Sequence, residues 1–255
     1  MPVPRCLTIA TSDSGGGAGI QADLKAFAAA GCFGTSALVA LTAQNTVGVR
    51  AIHELPPDFV VAQLEAVLDD IGVDAAKTGM LFSRRLIQTV ADFLAEHPVP
   101  LVVDPVLIAS SGAKLLEDDA VDVLVSRLFP LATVVTPNLT EAQALARLGT
   151  GDRRVLCERL HALGAPAVVV TGGHGEHAVD HLFDGERHEE IPVERHAAAA
   201  THGAGCTHSA TLAALLAQGE SLANAARGAS VAASRAVKNG LVEIGQGEGP
   251  VNVLA

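Results

Sequence analysis

The sequence predicts a single α/β domain with a largely parallel sheet covered by helices on both faces, and three observations lead there. Short apolar runs alternate along the chain with segments whose apolar residues recur at helical spacing. Polar residues and glycines gather where the runs end, at 12–19, 42–45, 79–80, Asp104, Asn138 and 171–174. Ligands bind beyond the carboxyl ends of strands in such sheets. The chain has 255 residues, 49% of them hydrophobic, enough for a large core.

Residues 6–10 read as a strand, 12–19 as a loop, and a helix follows from about Ile20 to Ala30. Residues 36–41 read as the next strand. Pro56-Pro57-Asp58 opens a helix with Val60, Leu64, Val67, Leu68 and Ile71 at helical spacing. Residues 75–78 form a short buried strand, and Ser83 caps a helix carrying Leu86, Val90 and Leu94. The run 101–103 ends in Asp104-Pro105. The run 133–135 ends in Thr136-Pro137-Asn138, before a helix from Thr140. Asp152 caps another helix, with Leu156, Leu160 and Leu163 in line and Gly164 as its stop. Residues 167–170 form a strand ending in Thr171-Gly172-Gly173. Two short segments flank Asp184-Gly185, expected as a type I′ hairpin turn. Helices from Gly205 to about Gly219 and from Ser221 to about Gly240 follow. No repeat or linker marks a second domain, so residues 1–255 read as one.

Composition excludes several functions. A formal net charge of −11 repels nucleic acid and anionic membranes. The seven aromatic residues are all Phe, a poor inventory for stacking single-stranded bases. An anionic ligand such as ATP remains compatible, because backbone N–H groups and helix N-termini can hold phosphate. Cys6, Cys32, Cys157 and Cys206 form no CxxC pair or zinc-like cluster. The apolar run within residues 1–10 is too short for a signal peptide and no run is long enough to span a bilayer, so a reducing cytoplasm is expected.

Two glycine clusters carry the chemistry. The first, SDSGGGAG at 12–19, joins a strand to a helix. It lacks the Gly-Lys-Ser/Thr of a Walker loop. The acid that a dinucleotide fold wants about 20 residues on is replaced by Thr42-Ala43-Gln44-Asn45. A tight turn needs fewer glycines, so their density favours close approach of backbone to a ligand. The second cluster, Thr201-His202-Gly203-Ala204-Gly205-Cys206, precedes an Ala/Leu-rich helix. Unpaired amides and the helix dipole there converge on a point suited to a phosphoryl group in flight. A thiol in that first turn is expected to have a depressed pKa, making Cys206 a base or hydrogen-bond acceptor. The bland alternative is a buried structural cysteine. Asn138 and Glu141 fit a helix cap, Asp104 a strand terminator, Gln44 and Asn45 turn formers, Met80 core filler, and His174 and His177 solvated loop residues.

In order, the segments SDSGGGAGIQADLKAFAA (12–29), ALTAQNTVGV (40–49), AAKTGML (75–81), LVVDPV (101–106), VVTPNLTEA (134–142), GGH (172–174) and THGAGCTHSA (201–210) resemble the hydroxymethylpyrimidine/phosphomethylpyrimidine kinases of the ribokinase-like superfamily. The resemblance covers essentially the whole chain. It implies a ribokinase-like three-layer α/β/α sandwich with a mostly parallel central sheet, usually found as a homodimer. It also implies ATP-dependent phosphorylation of 4-amino-5-hydroxymethyl-2-methylpyrimidine and then of its monophosphate, in thiamine biosynthesis. The pyrimidine would lie near Asp23, Gln44, Met80 and Val106, with the Ala18 backbone close by. ATP would lie near Asn138, Glu141, Thr171 and Gly172, with Mg²⁺ organised by Glu141 and Asp104. Gly203, Ala204 and Gly205 would form the anion hole. Cys206 occupies the place where this family uses Cys and most ribokinase-like enzymes an Asp base.

Some positions depart from the family pattern. Thr171 and Ser110 stand where relatives often carry Lys, Ala204 replaces a commoner Thr, and Thr11 a usual Gly. Either other groups (Lys77, Lys114, an arginine or the metal) compensate for the two lysines, or turnover or the second phosphorylation is weakened. The rival readings are a pyridoxal or pyridoxine kinase, and a ligand-binding relative without turnover. A nicotinamide-dependent oxidoreductase is more distant still.

Overall fold

The computed structural model describes residues 2–107, 118–172, 178–194, 196 and 200–255. Ser110, Lys114, Gly173, His174 and His177 lie outside them. In chain order the elements begin with β1 (Arg5–Asp13), α1 (Gly19–Ala29), β2 (Phe33–Asn45), β3 (Gly48–Glu54), α2 (Pro57–Asp70) and β4 (Ala75–Thr78). Next come α3 (Arg84–Glu96), β5 (Leu101–Val103), α4 (Asp118–Val123), β6 (Val134–Val135), α5 (Leu139–Ala146) and α6 (Arg153–Ala162). The remainder is β7 (Val168–Val170), β8 (Val179–Phe183), β9 (His188–Pro192), α7 (Ala204–Ala217) and α8 (Leu222–Lys238).

The described strands form one sheet in the order β3-β2-β1-β4-β5-β6-β7-β8-β9. The run from β2 to β7 is parallel, and antiparallel pairing is confined to β3 at one edge and to β8 and β9 at the other. From β1 the chain builds β2 on one side and β4 on the other. The order reverses there, which opens a crevice beyond the carboxyl ends of β1 and β4.

Alternation along the strands divides the core into two faces. Leu7, Ile9, Leu101, Val103, Val135, Val168 and Val170 point one way, into a cluster with Val60 and Leu64 of α2, Leu86 and Val90 of α3, and Leu156 and Leu160 of α6. Cys6, Val102, Val134 and Val169 point the other way, to Phe27 of α1, Leu212 and Ala213 of α7, and Ala225 and Ala229 of α8. Each large aliphatic side chain so buried contributes about 1.5–3 kcal/mol. Every residue of α7 from Thr207 to Ala214 is buried. Small side chains suit it, because the sheet, α1 and α8 close on it together.

The caps expected at Ser83 and Asp152 form, accepting from the amides of Leu86 and of Arg154 and Val155, and Ser221 caps α8 in the same way through the Asn224 amide. Three features differ from expectation. β2 runs on to Asn45 and turns back as β3, whose mixture of Arg, His and Glu with few apolar residues suits an exposed edge. Residues 118–131 fold as α4, a π-helical turn (Leu124–Leu128) and a 3₁₀ turn (Phe129–Leu131), burying Leu124, Leu128 and Phe129. The hairpin at Asp184-Gly185 exists, but Phe183 pairs with His188 across a four-residue loop. Of its residues Gly185 alone takes a positive φ, 96°, where a type I′ turn needs two in succession. The Asp184 carboxylate accepts from the Glu186 and Arg187 amides and fixes the loop instead.

Candidate active site

The first glycine loop folds around a carboxylate of its own. Asp13, the last residue of β1, accepts from the amides of Gly15 at 2.8 Å, Gly17 at 3.1 Å and Ala18 at 2.9 Å. His202 Nε2 lies 3.1 Å from Asp13 Oδ2. Burial works against charge here, yet His202 and the loop amides hold the Asp13 pKa below the ordinary carboxylate value. The glycines thus bring backbone donors to Asp13, so the Gly17 and Ala18 amides are engaged within the protein. Ser14 Oγ donates to Gln44 O at 2.7 Å and accepts from Gln44 N at 2.8 Å, which stitches the loop to the end of β2. The half-buried Gln44 side chain accepts from Thr42 Oγ1 at 3.2 Å, and its Nε2 lies 3.5 Å from His202 Nε2.

The second glycine cluster packs directly on the first. Gly203, the N-cap of α7, has φ 88°, and a Cβ there would sit 1.9 Å from the Gly17 carbonyl oxygen. A Cβ on Gly17 would in turn meet His202 Cδ2 at 2.4 Å. No side chain caps α7. The Ala204 amide donates to Thr201 O at 3.1 Å, so of the expected anion-hole residues Ala204 already has a partner for its donor. The amides of Gly205 and Cys206, in the first turn, have no intrahelical acceptor by geometry. Gly205 is exposed, and nothing lies within 4 Å of where its Cβ would be. The front of α7 is therefore open.

The depressed pKa expected for Cys206 is not found. Burial pushes the thiol up to about 12. Lys77 and the Gly19 amide oppose the rise, while the carboxylates of Asp23 and Asp104 add to it. Loss of hydration and two nearby acids outweigh the helix terminus.

Those acids belong to a buried polar chain that links α1, β4 and α7. Thr8 Oγ1 donates to Asp23 Oδ2 at 2.6 Å, and Lys77 Nζ reaches Asp23 Oδ1 at 3.0 Å and Asp104 Oδ2 at 3.5 Å. Ser209 Oγ of α7 donates to Asp104 Oδ2 at 2.8 Å. Thr8, Asp23 and Lys77 are wholly buried. Asp23 thus supports the pocket from behind, and Lys77, a possible replacement for the missing phosphate-site lysines, is held out of reach of a ligand. Burial opposes the Lys77 charge, but Asp23, Cys206 and Asp104 together raise its pKa. Met80 and Val106, both half-buried, lie just past β4 and β5. The Met80 carbonyl takes the amide and hydroxyl of Thr11, which ties the exit of β4 to β1.

On the other half of the sheet, Asn138 and Glu141 form a reciprocal capping box at the start of α5, each bond 2.9 Å. Burial, reinforced by Asp104, raises the Glu141 pKa to about 8, against the amides of Asn138 and Leu107. Thr171 bridges to Asn138, and the Gly172 amide donates to Asp180 Oδ1 at 2.7 Å. The site residues gather at the carboxyl ends of β1, β2, β4, β5 and β7 and at the front of α7. Asp13, His202 and Asp180 escaped sequence reasoning, as did the pairing of Lys77. A lysine inside the buried strand Ala-Ala-Lys-Thr was the available signal, since it demands acidic partners.

A parallel sheet between two helical layers, with an open helix front facing a glycine loop at its switch point, defines a ribokinase-like kinase scaffold. The chain belongs to the phosphomethylpyrimidine kinase family, whose model matches residues 13–252. It is 47% identical over 261 residues to the hydroxymethylpyrimidine/phosphomethylpyrimidine kinase of Haemophilus influenzae, covering 98% of this chain and 96% of that one. It is 48% identical over 260 residues to the thiamine biosynthesis bifunctional protein ThiED of Geobacter sulfurreducens, covering 98% of this chain but 53% of that longer protein. Among solved structures it superposes on an ADP complex of Bacillus subtilis pyridoxal kinase with a TM-score of 0.90 at 38% identity, covering 98% and 97% of the two chains. For the phosphomethylpyrimidine kinase of Clostridium difficile the TM-score is 0.80 at 37% identity, covering 90% and 96%.

Two consequences are measurable. Lys77→Met leaves Asp23 and Asp104 buried without their cation and is expected to cost about 3–5 kcal/mol of stability in urea unfolding. Adding Asp23→Asn to it should restore part of the loss. Glu141 gives a pH signature in the ligand-free protein. Its folded pKa of about 8 lies above the ordinary 4.5, so between these values the folded chain holds a proton that the unfolded chain has released. Its contribution therefore falls as pH rises from 4.5 and levels off above about 8. Glu141→Gln keeps the cap geometry and should flatten that part of the stability–pH curve.

Proposed function

We propose that the chain transfers the γ-phosphoryl group of ATP to the hydroxymethyl oxygen of 4-amino-5-hydroxymethyl-2-methylpyrimidine. A second transfer, to the resulting monophosphate, yields the diphosphate in thiamine biosynthesis, in the cytoplasm. The observation that carries this reading is the open front of α7, packed against the loop that is stitched to Gln44. Family membership and the names of the relatives support it. Among the described residues no helix is long and apolar enough to cross a membrane.

In this mechanism Gln44 meets the aminopyrimidine edge, since its amide both donates and accepts. Met80, Val106 and the Ala18 backbone form the surrounding wall. The nucleotide lies across the ends of β6 and β7, near Asn138, Thr171 and Gly172. The amides of Gly205 and Cys206, at the positive end of α7, stabilise charge on the transferred group, and Gly203 sets their direction. With its pKa near 12 the resting Cys206 thiol is neutral. It accepts a hydrogen bond from the substrate hydroxyl and aims the oxygen at phosphorus in line with the leaving group. A loose transition state lets the hydroxyl proton pass late, to an oxygen of the transferred phosphoryl group, so prior ionisation of the alcohol is not required.

Glu141 and Asp104 fit a divalent cation, because the Asp104 carboxylate adds to the cost of charge on buried Glu141. Mg²⁺ keeps several waters and binds through one or two carboxylates plus substrate phosphates. When bound, Mg²⁺ would neutralise charge on the phosphates.

A second reading, phosphorylation of pyridoxal, is favoured by the superposition on pyridoxal kinases. Measuring kcat/KM for the two acceptors with Mg-ATP decides between them: the pyrimidine should be preferred, with both mono- and diphosphate among its products. Strong preference for pyridoxal would reverse the assignment, and saturable binding without ADP release would leave a ligand-binding protein. Cys206→Ala is expected to lower kcat by about 10²-fold or more while the pyrimidine KM stays near the parent value; a near-normal kcat would reduce Cys206 to packing.

A further inference from the structure

Asp180, on β8, is 4% exposed, and one carboxylate there contacts three separate elements. Its Oδ1 accepts from the Gly172 amide at 2.7 Å, just beyond β7. Its Oδ2 accepts from Ser230 Oγ of α8 at 2.5 Å and lies 3.5 Å from His208 Nε2 of α7. We propose that Asp180 is a positioning residue for phosphoryl transfer, its buried carboxylate fixing the Gly172 end of the nucleotide site relative to the helix whose front receives the phosphoryl group. This rests on the kinase reading above, in which Gly172 lies beside the nucleotide.

The local packing leaves Gly172 little choice of position. A Cβ on it would fall 1.8 Å from the Val179 carbonyl oxygen, so the exit of β7 and the start of β8 are in backbone contact. Thr171, its neighbour, bridges to Asn138, the cap that also holds Glu141. The hold of Asp180 on Gly172 therefore extends to the group of residues assigned to ATP. On its other side the carboxylate faces His208, two residues along α7 from Cys206, within a helix stretch buried from Thr207 to Ala214.

His208 is the unusual partner. It is 3% exposed, and its Nδ1 finds no hydrogen-bond partner among the described residues. Its Nε2 stands at ion-pair distance from Asp180 without the alignment of a hydrogen bond. An apolar side chain would fill this place without leaving buried polar atoms unmet, so packing alone gives no reason for an imidazole. An electrostatic tie between α7 and the Gly172 amide does. Burial works against charge on Asp180, yet His208, Ser230 and the Gly172 amide hold its pKa below the ordinary carboxylate value, in keeping with a permanent anion at this junction.

The test compares the parent with Asp180→Asn, His208→Leu and the double variant, reading ADP affinity by calorimetry, then kcat and both KM values. Asp180→Asn keeps the volume and removes the charge; His208→Leu leaves the Gly172 and Ser230 bonds and releases α7. Expected are an ADP Kd and kcat each worse by about tenfold in Asp180→Asn, within the ~10²-fold that a misplacement of about 1 Å can cost. The pyrimidine KM should stay within about twofold, and the double variant should be no worse than Asp180→Asn, as for groups acting as one unit. Unchanged ADP affinity and kcat in both single variants would overturn the proposal, even if the melting temperature fell, because that is the result of a purely structural tie. A parent that binds ADP but does not phosphorylate the pyrimidine would refute the substrate assignment, while the ADP affinities still decide the role of Asp180. A parent that fails to bind ADP would overturn both.

Discussion

The carbonyl oxygen of Gly17 lies where a side chain on Gly203 would have to begin, 1.9 Å from an ideal Cβ. Gly203 also needs φ 88°, a conformation that glycine adopts without strain. This backbone contact sets the distance between the loop after β1 and the front of α7, two segments that lie far apart in sequence. Through Ser14 the same loop carries Gln44, and through His202 the contact reaches Asp13. The proposed acceptor pocket and the amides proposed to meet the phosphoryl group are thereby built as one piece.

Charge is arranged around this contact in an economical way. The chain is acidic overall, at −11, yet the point proposed to handle phosphate charge is made from peptide amides. Lys77 does not serve there, because three buried contacts with Asp23 and Asp104 commit it to the junction of sheet, α1 and α7. Two carboxylates on one ammonium leave residual negative charge near Cys206 and Glu141, and both of those groups are pushed toward their neutral forms. A site so biased suits a cation arriving with the nucleotide, and supports the proposed role of the thiol as a hydrogen-bonding guide rather than a ready thiolate.

Much of the architecture was legible in the sequence because the physics there is local. The buried strands 75–78 and 101–103 and the caps at Ser83 and Asp152 depend on residues within a few positions, and all appear as expected. β3 was missed because an exposed antiparallel edge carries little apolar pattern, and α4 with its following turns because tertiary burial of Leu124, Leu128 and Phe129 holds them. The glycine clusters pointed to the right regions, but their function as a mutual contact depends on residues nearly two hundred positions apart. The Cys206 thiol failed expectation for the same reason. Helix position argued for a lower pKa, while burial and two distant carboxylates decided a higher one. Asp180 and His202 carried no local signal at all, since each acquires its meaning from partners on other elements.

The central claim is that the Gly17–Gly203 contact aims the front of α7 at the phosphoryl group, and the direct measurement is kcat for Gly203→Ala with Mg-ATP and the hydroxymethylpyrimidine. The account predicts a fall of about 10²–10³-fold, the scale of losing an anion-hole donor, in a protein whose far-ultraviolet circular dichroism is unchanged. A variant that folds and turns over near the parent rate would show that the helix front and the glycine loop are not the machinery of transfer.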